Sequence, residues 1–78
     1  MLDAEIVGRV LQSYREKRNL SQEVVSGLAG IGRSHLSAIE RGERRTTMDT
    51  FYKICEALLY KPSEVLAAIE EECEKHRT

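Results

Sequence analysis

Apolar residues recur along this chain in stripes of helical period. In the first stretch Ile6, Val7, Val10, Leu11 and Tyr14 follow one another at spacings of 1, 3, 1 and 3, which marks one side of a helix and cannot be the two-residue period of a strand. The pattern predicts a first helix over about 3–18, capped by Asp3 and closed by Lys17 and Arg18, where the helix dipole favours positive charge. Ser21 offers a hydroxyl to cap a short second helix over about 22–28, Glu23 sits in its first turn, and Val24, Val25 and Leu28 are expected to form its buried side. Gly27 and Gly30 bracket its end, and Gly30 is placed for a sharp turn. A third helix is expected from Arg33, with Leu36 and Ile39 as its apolar positions. Only one narrow edge of it is committed to a core, so the opposite face is free to touch something else.

Gly42 closes that helix. After a polar loop, Thr46 or Thr47 can cap a fourth helix carrying Phe51, Ile54, Cys55 and Leu58 at spacings of 3, 1 and 3. Pro62 suits the first turn of a fifth helix, whose apolar side is Val65, Leu66 and Ile69. The expectation is an all-α chain of five helices, with no sheet and no internal repeat.

Composition narrows what such a bundle can do. With 78 residues, 41% of them hydrophobic, there is room for one small core, so residues 1–78 are expected to form one domain. A net charge of -1 argues against a protein that coats nucleic acid by bulk charge. The distribution is uneven, however: residues 1–48 hold eight Lys/Arg against six Asp/Glu, and residues 49–78 hold four against seven. One end can therefore meet phosphates while the other stays in water. Cys55 and Cys73, 18 positions apart and in no C-x-x-C pair, do not suggest a disulfide framework or a zinc ribbon, and Cys73-x-x-His76 is only half a metal site. No metal and no cofactor are expected. No Ser/His/Asp, Cys/His, paired-carboxylate or phosphate-loop arrangement stands out, so the chain is not expected to be an enzyme. There is no apolar run near the roughly 18 residues of a membrane span and no signal-peptide order at the N-terminus, which points to a cytoplasmic protein.

The second helix, a glycine-containing turn and the third helix stand in helix-turn-helix order, in which the second member can enter a DNA major groove. The segment L-S-Q-E-V-V-S-G-L-A-G-I-G-R-S-H-L-S-A-I-E-R-G, residues 20–42, resembles the phage repressor and Cro-type helix-turn-helix family, the XRE family. Ser21 and Gln22 match the opening of its second helix, Gly30 its turn, and Ile39, Glu40 and Gly42 the close of its third. Arg15 matches its first-helix arginine, D-T-F-Y-K-I-C-E-A-L (49–58) looks like its fourth helix, and P-S-E-V-L (62–66) like its fifth. Ser26 stands where the family usually has Ala, Gly32 where it has a Ser or Thr cap, Thr46 where Pro is common and Leu59 where Gly is common. The resemblance implies a compact five-helix lambda-repressor-like domain and a sequence-specific transcriptional regulator acting on double-stranded DNA.

It also implies roles for particular residues. Arg33 and Ser34, which open the third helix, fall where the family reads base edges, and an arginine forks onto guanine O6 and N7; the plainer alternative for Arg33 is a phosphate clamp. Ser37 and Ala38 lie on the same outward arc, Ser37 suited to a phosphate or base contact and Ala38 to a thymine methyl or to simple filling. Gln22 is similar to a glutamine that donates to phosphate and braces the first residue of the recognition helix, unless it is only a solvated helix-start residue. His35, Arg41, Arg44 and Arg45 are assigned to the DNA backbone, which such side chains reach without reading sequence. Glu40 would repel phosphate unless paired, and the resemblance suggests a largely buried ion pair with Arg15.

One recognition helix touches too few base pairs to single out a site, so a homodimer on a palindromic operator is expected. Leu66, Ile69, Cys73 and His76 continue a stripe at 0, +3, +7 and +10, making 66–78 a C-terminal helical extension suited to dimerisation, with Leu59 and Tyr60 joining it. The alternative is a longer fifth helix folded back on its own core. Glu70, Glu71, Glu72 and Glu74 are expected to face solvent away from DNA. RNA polymerase or a cognate toxin are further expected partners, since the size is similar to restriction-modification controller proteins, antitoxins and compact phage repressors alike. A protein-protein module using the acidic fifth helix is the competing class.

Overall fold

The structure, a computed structural model, describes residues 1–77. Its elements are α1 (Ala4–Lys17), α2 (Gln22–Ala29), α3 (Arg33–Glu40), α4 (Met48–Ala57) and α5 (Pro62–Lys75), with no strand among the described residues. Side-chain oxygens start three of them by accepting free backbone N–H groups: Asp3 from Glu5 (2.8 Å) and Ile6 (3.3 Å), Ser21 from Val24 (3.1 Å), and Thr47 from Thr50 (3.1 Å). Gly32 precedes α3 without a side-chain cap, and α5 opens with Pro62, whose missing N–H costs a helix nothing in the first turn. The first four helices are each followed by a residue in the left-handed region: Asn19, Gly30, Gly42 and Leu59. Asparagine and glycine tolerate that conformation; leucine does not do so readily.

The five helices enclose one core, centred on Leu11, Val25, Leu36, Ile54, Leu58 and Val65, all at or below 1% exposure. The radius of gyration, 11.5 Å, matches the value of about 11.5 Å expected for a compact chain of this length. α2 packs on α3 and α4, while α1 packs on α3 and α5. The α1–α3 crossing depends on a glycine inside a helix, which by itself is unfavourable by about 1 kcal/mol relative to alanine. A β-carbon at Gly8 would lie 2.3 Å from the Ile39 carbonyl oxygen and 2.5 Å from that of Glu40. The backbone of α1 therefore rests directly against the end of α3.

Two expectations about buried faces are corrected. α2 turns Val25, Ser26 and Ala29 inward, whereas Val24 and Leu28 remain 47% and 66% exposed. The helix is wedged between two neighbours at close range, so small residues face in, and the Ser26 hydroxyl is satisfied by donating to the Glu23 carbonyl at 3.1 Å. In α5, Ile69 was expected on a dimer surface; it is 1% exposed and belongs to the chain's own core. Leu66 and Cys73 are half-buried against that same core, and Tyr60 is half-buried edge-to-face on Tyr14, with centroids 4.5 Å apart. The fifth helix thus folds back along α1 as far as the described residues run; Thr78, the last residue of the expected extension, lies outside them.

Burial pushes the Cys55 thiol up to about 12, so it stays protonated and unreactive at neutral pH. A thiol-alkylating reagent at pH 8 is expected to modify Cys73 in the native protein and to reach Cys55 only on unfolding, which peptide mass spectrometry would resolve. Gly8→Ala is expected to destabilise the fold by about 1–3 kcal/mol or more, because the atoms it meets are backbone and cannot rotate away. A urea titration giving the variant the wild-type midpoint would contradict that tight crossing.

Candidate nucleic-acid interface

α3 divides cleanly between inside and outside. Leu36, Ile39 and Glu40 are buried, Arg33 and Ser34 are exposed, and His35, Ser37 and Ala38 are half-buried. The helix spans only eight residues, too short to be stable in isolation, so its presentation comes from what holds its buried side. Leu36 and Ile39 insert into the core; Glu40 does something a hydrophobic residue cannot.

The Glu40 carboxylate, 4% exposed, accepts three hydrogen bonds. Arg15 Nε reaches Oε2 at 2.7 Å, Arg15 Nη2 reaches Oε1 at 3.0 Å, and Gln22 Nε2 reaches Oε1 at 2.8 Å. The remaining arm of Arg15, Nη1, donates to the Leu20 carbonyl at 2.8 Å. One charge pair therefore fastens α1, the α1–α2 link, α2 and the end of α3 to one another. The hydrogen bond to Glu40 raises the Arg15 guanidinium above its usual range, against the opposing effect of burial. The forked contact is the arrangement in which an arginine binds a carboxylate best.

Gln22 braces α3 at the opposite end from the one expected. Its amide was expected to donate to phosphate and to brace the first residue of α3; the brace falls on the last residue of that helix, Glu40, and takes one N–H of the amide. An amide carries two N–H groups, so a second one stays available beside the bond to Glu40. Arg41 is also partly engaged: Nε and Nη2 fork onto Glu43 at 3.0 Å each, and Nη1 donates to the Ser37 hydroxyl. The hydrogen bonds between Arg41 and Glu43 raise the arginine and lower the carboxylate from their ordinary values. Both groups are exposed, so this pair is easily exchanged for another. Arg45 Nη1 donates to the Leu2 carbonyl at 2.8 Å. Arg33 and Arg44 are exposed and make no side-chain hydrogen bond among the described residues.

Between positions 33 and 45 the chain carries four arginines and two glutamates, and one of the two, Glu40, is neutralised by Arg15. What remains is a positive surface made of the outward edge of α3 and the loop after it. No group of three His, Cys, Asp or Glu among the described residues is placed to hold a metal ion. No described helix is long and apolar enough to cross a membrane.

Arg18 has a structural role that sequence reasoning missed. It lies 4.1 Å from the Tyr60 ring and donates from Nε to the Leu58 carbonyl (2.9 Å) and from Nη2 to the Leu59 carbonyl (3.0 Å), fixing the α4–α5 corner. Its partners lie some 40 positions away, beyond the reach of any local pattern.

Comparison with known proteins places this architecture. Residues 11–65 match a protein family described as Helix-turn-helix (HTH_3). Control protein C.SmaI from Serratia marcescens is 37% identical over 54 residues, which is 69% of this chain and 64% of that protein. Control protein C.BamHI from Bacillus amyloliquefaciens is 36% identical over 58 residues, 74% of this chain and 72% of that one. Among solved structures, the restriction-modification controller protein C.AhdI from Aeromonas hydrophila superposes with a TM-score of 0.78 at 33% identity, over 81% of this chain and 96% of that chain. The chain thus spans slightly under two thirds of the Serratia relative and nearly all of the Aeromonas structure.

Because Glu40 is buried with its partners, Glu40→Ala strands the Arg15 charge and is expected to cost roughly 3–5 kcal/mol of folding stability. Denaturant unfolding measures this, and a wild-type midpoint would strip the pair of its proposed importance.

Proposed function

The chain belongs to the helix-turn-helix family of DNA-binding regulators, and from that premise we propose that it acts as a transcriptional regulator of the restriction-modification controller type, binding a palindromic operator as a homodimer in the cytoplasm. The observation that carries the reading is the presentation of Arg33 and Ser34. They stand exposed at the start of a helix whose far end is clamped by Arg15 and Gln22 through Glu40. The relatives described as control and restriction-modification controller proteins support the choice of regulator type.

The mechanism is binding without bond making. α3 enters the major groove, where Arg33 forks onto a guanine edge and Ser34 and Ser37 offer short hydroxyl contacts beside it. Ala38 meets the groove with a methyl group, suited to thymine. Arg44 lies against phosphate, as do His35 and Arg45, and Arg41 exchanges Glu43 for a phosphate oxygen. Such an exchange is inexpensive because the existing pair is in water. Rigidity in α3 matters because base contacts discriminate only if the donors arrive in fixed geometry. Two copies on half-sites about one DNA turn apart supply the length of sequence that one α3 cannot read.

Selection from random DNA with the purified protein tests this reading. A two-fold motif is expected. Arg33→Ala should cost about 1–3 kcal/mol and relax preference at one position per half-site, while Arg44→Ala should weaken all sequences alike and reduce the salt slope by about one. An unaltered consensus with Arg33→Ala would refute base reading by that residue.

A further inference from the structure

A cavity of about 160 Å³ opens between the starts of α1 and α4 and the middle of α5. Phe51 and Ile69, both buried, and Val7 and Leu66, both half-buried, line its inner part. Its mouth carries the exposed side chains of Leu2 and Met48, together with Arg44 and Arg45 from the loop after α3. The hydrogen bond from Arg45 to the Leu2 carbonyl, 2.8 Å, fastens the N-terminal segment in place as one wall. Arg33 and Ser34 do not line this cavity, yet it shares Arg44 with the surface assigned to phosphate.

Size and charge together define what the cavity accepts. An apolar cavity of roughly 150 Å³ holds a benzene ring, so the inner part has room for a six-membered ring or a short alkyl chain and none for a helix or a peptide segment. Apolar side chains leave water few partners there, which favours an apolar guest. The mouth differs in character. Among the described residues no acidic side chain lines the cavity, and two consecutive arginines stand at its opening. Arg44 makes no side-chain hydrogen bond and Arg45 commits one N–H to Leu2, so most of their donors are available. A guanidinium fork matches a carboxylate in two parallel hydrogen bonds. A guest with a ring or short chain at one end and a carboxylate at the other satisfies both halves of the site. A purely apolar guest leaves the arginines unmatched, and a small inorganic anion leaves the interior unfilled.

We propose that this cavity binds a small apolar carboxylate, and that the bound guest competes with DNA phosphate for Arg44. The competition rests on the DNA-binding reading above; the binding itself does not. Amide NMR titration of the full chain with benzoate, in the absence of DNA, tests the site. Saturable shifts are expected at Val7, Met48, Phe51 and Leu66, with a dissociation constant on the order of a millimolar or tighter. Benzamide keeps the ring without the charge and acetate keeps the charge without the ring; each should bind at least about tenfold more weakly. Arg44→Gln should weaken benzoate binding by about tenfold. Met48→Asp sets an acid at the mouth, in the first turn of α4 where the helix dipole favours one, so the fold is retained while benzoate binding is abolished. Absence of saturable shifts at these residues, or equal affinity for benzamide, would overturn the site and leave the DNA-binding reading intact. In a gel shift on the selected operator, saturating benzoate should weaken binding by about tenfold relative to acetate at the same ionic strength. An operator affinity that benzoate leaves unchanged would overturn the competition.

Discussion

Glu40 is a charge that folding removes from water, and it is tolerated only because Arg15 and Gln22 present three donors at 2.7–3.0 Å. A buried ion pair of this kind adds little net stability, since desolvation offsets most of the attraction. Its value is directional. Leu36 and Ile39 can hold α3 against the core by burial, but burial alone leaves the helix free to roll or slide. Hydrogen bonds with fixed geometry from α1 and α2 remove that freedom. The close approach of Gly8 to the carbonyls of Ile39 and Glu40 brings the same helix end within reach of Arg15. α3, eight residues long, has its orientation set at its final residue.

That arrangement separates electrostatic roles that would otherwise conflict. An unpaired glutamate beside the proposed phosphate-binding surface would repel DNA; Glu40 is instead buried and matched by Arg15. The arginines of positions 33 to 45 then dominate locally although the chain as a whole carries a net charge of -1. The acidic residues of α5 sit mainly on the outward side of the last helix, where Glu72 and Glu74 pair with Lys75, His76 and Arg77. Partition of charge by position, with a near-neutral total, favours site-directed binding over indiscriminate adhesion to nucleic acid.

The α4–α5 corner is the second place where one arginine organises several segments. Arg18 satisfies two carbonyls at the end of α4 and lies against Tyr60, which in turn rests on Tyr14 of α1. The consequence is a rigid Leu59, pointing outward in a conformation that requires support. Arg15 and Arg18 are three positions apart, one facing the α3 end and the other the α5 start. The C-terminal half of α1 therefore serves both the end of α3 and the opposite corner.

Much of this was legible in the chain. Helix starts follow from Asp3, Ser21, Thr47 and Pro62, whose effects are local, and the helical stripes follow from a period that only short-range geometry dictates. The positions of Arg33 and Ser34 on an unburied edge follow from the same period. Decisions made by tertiary packing were of another kind. The period of α2 is compatible with burying Val24 and Leu28, but wedging it between α3 and α4 selected the smaller face of Ser26 and Ala29. The stripe of α5 reads equally well as a free surface or as core, and only the presence of α1 alongside assigned Ile69 inward. Gln22 and Arg18 carry donors that can reach many acceptors, and which they reach depends on residues 18 and 40 positions away brought near by the fold. Local conformational preference is written in neighbouring residues; choice of partner is settled when distant segments compete for the same space.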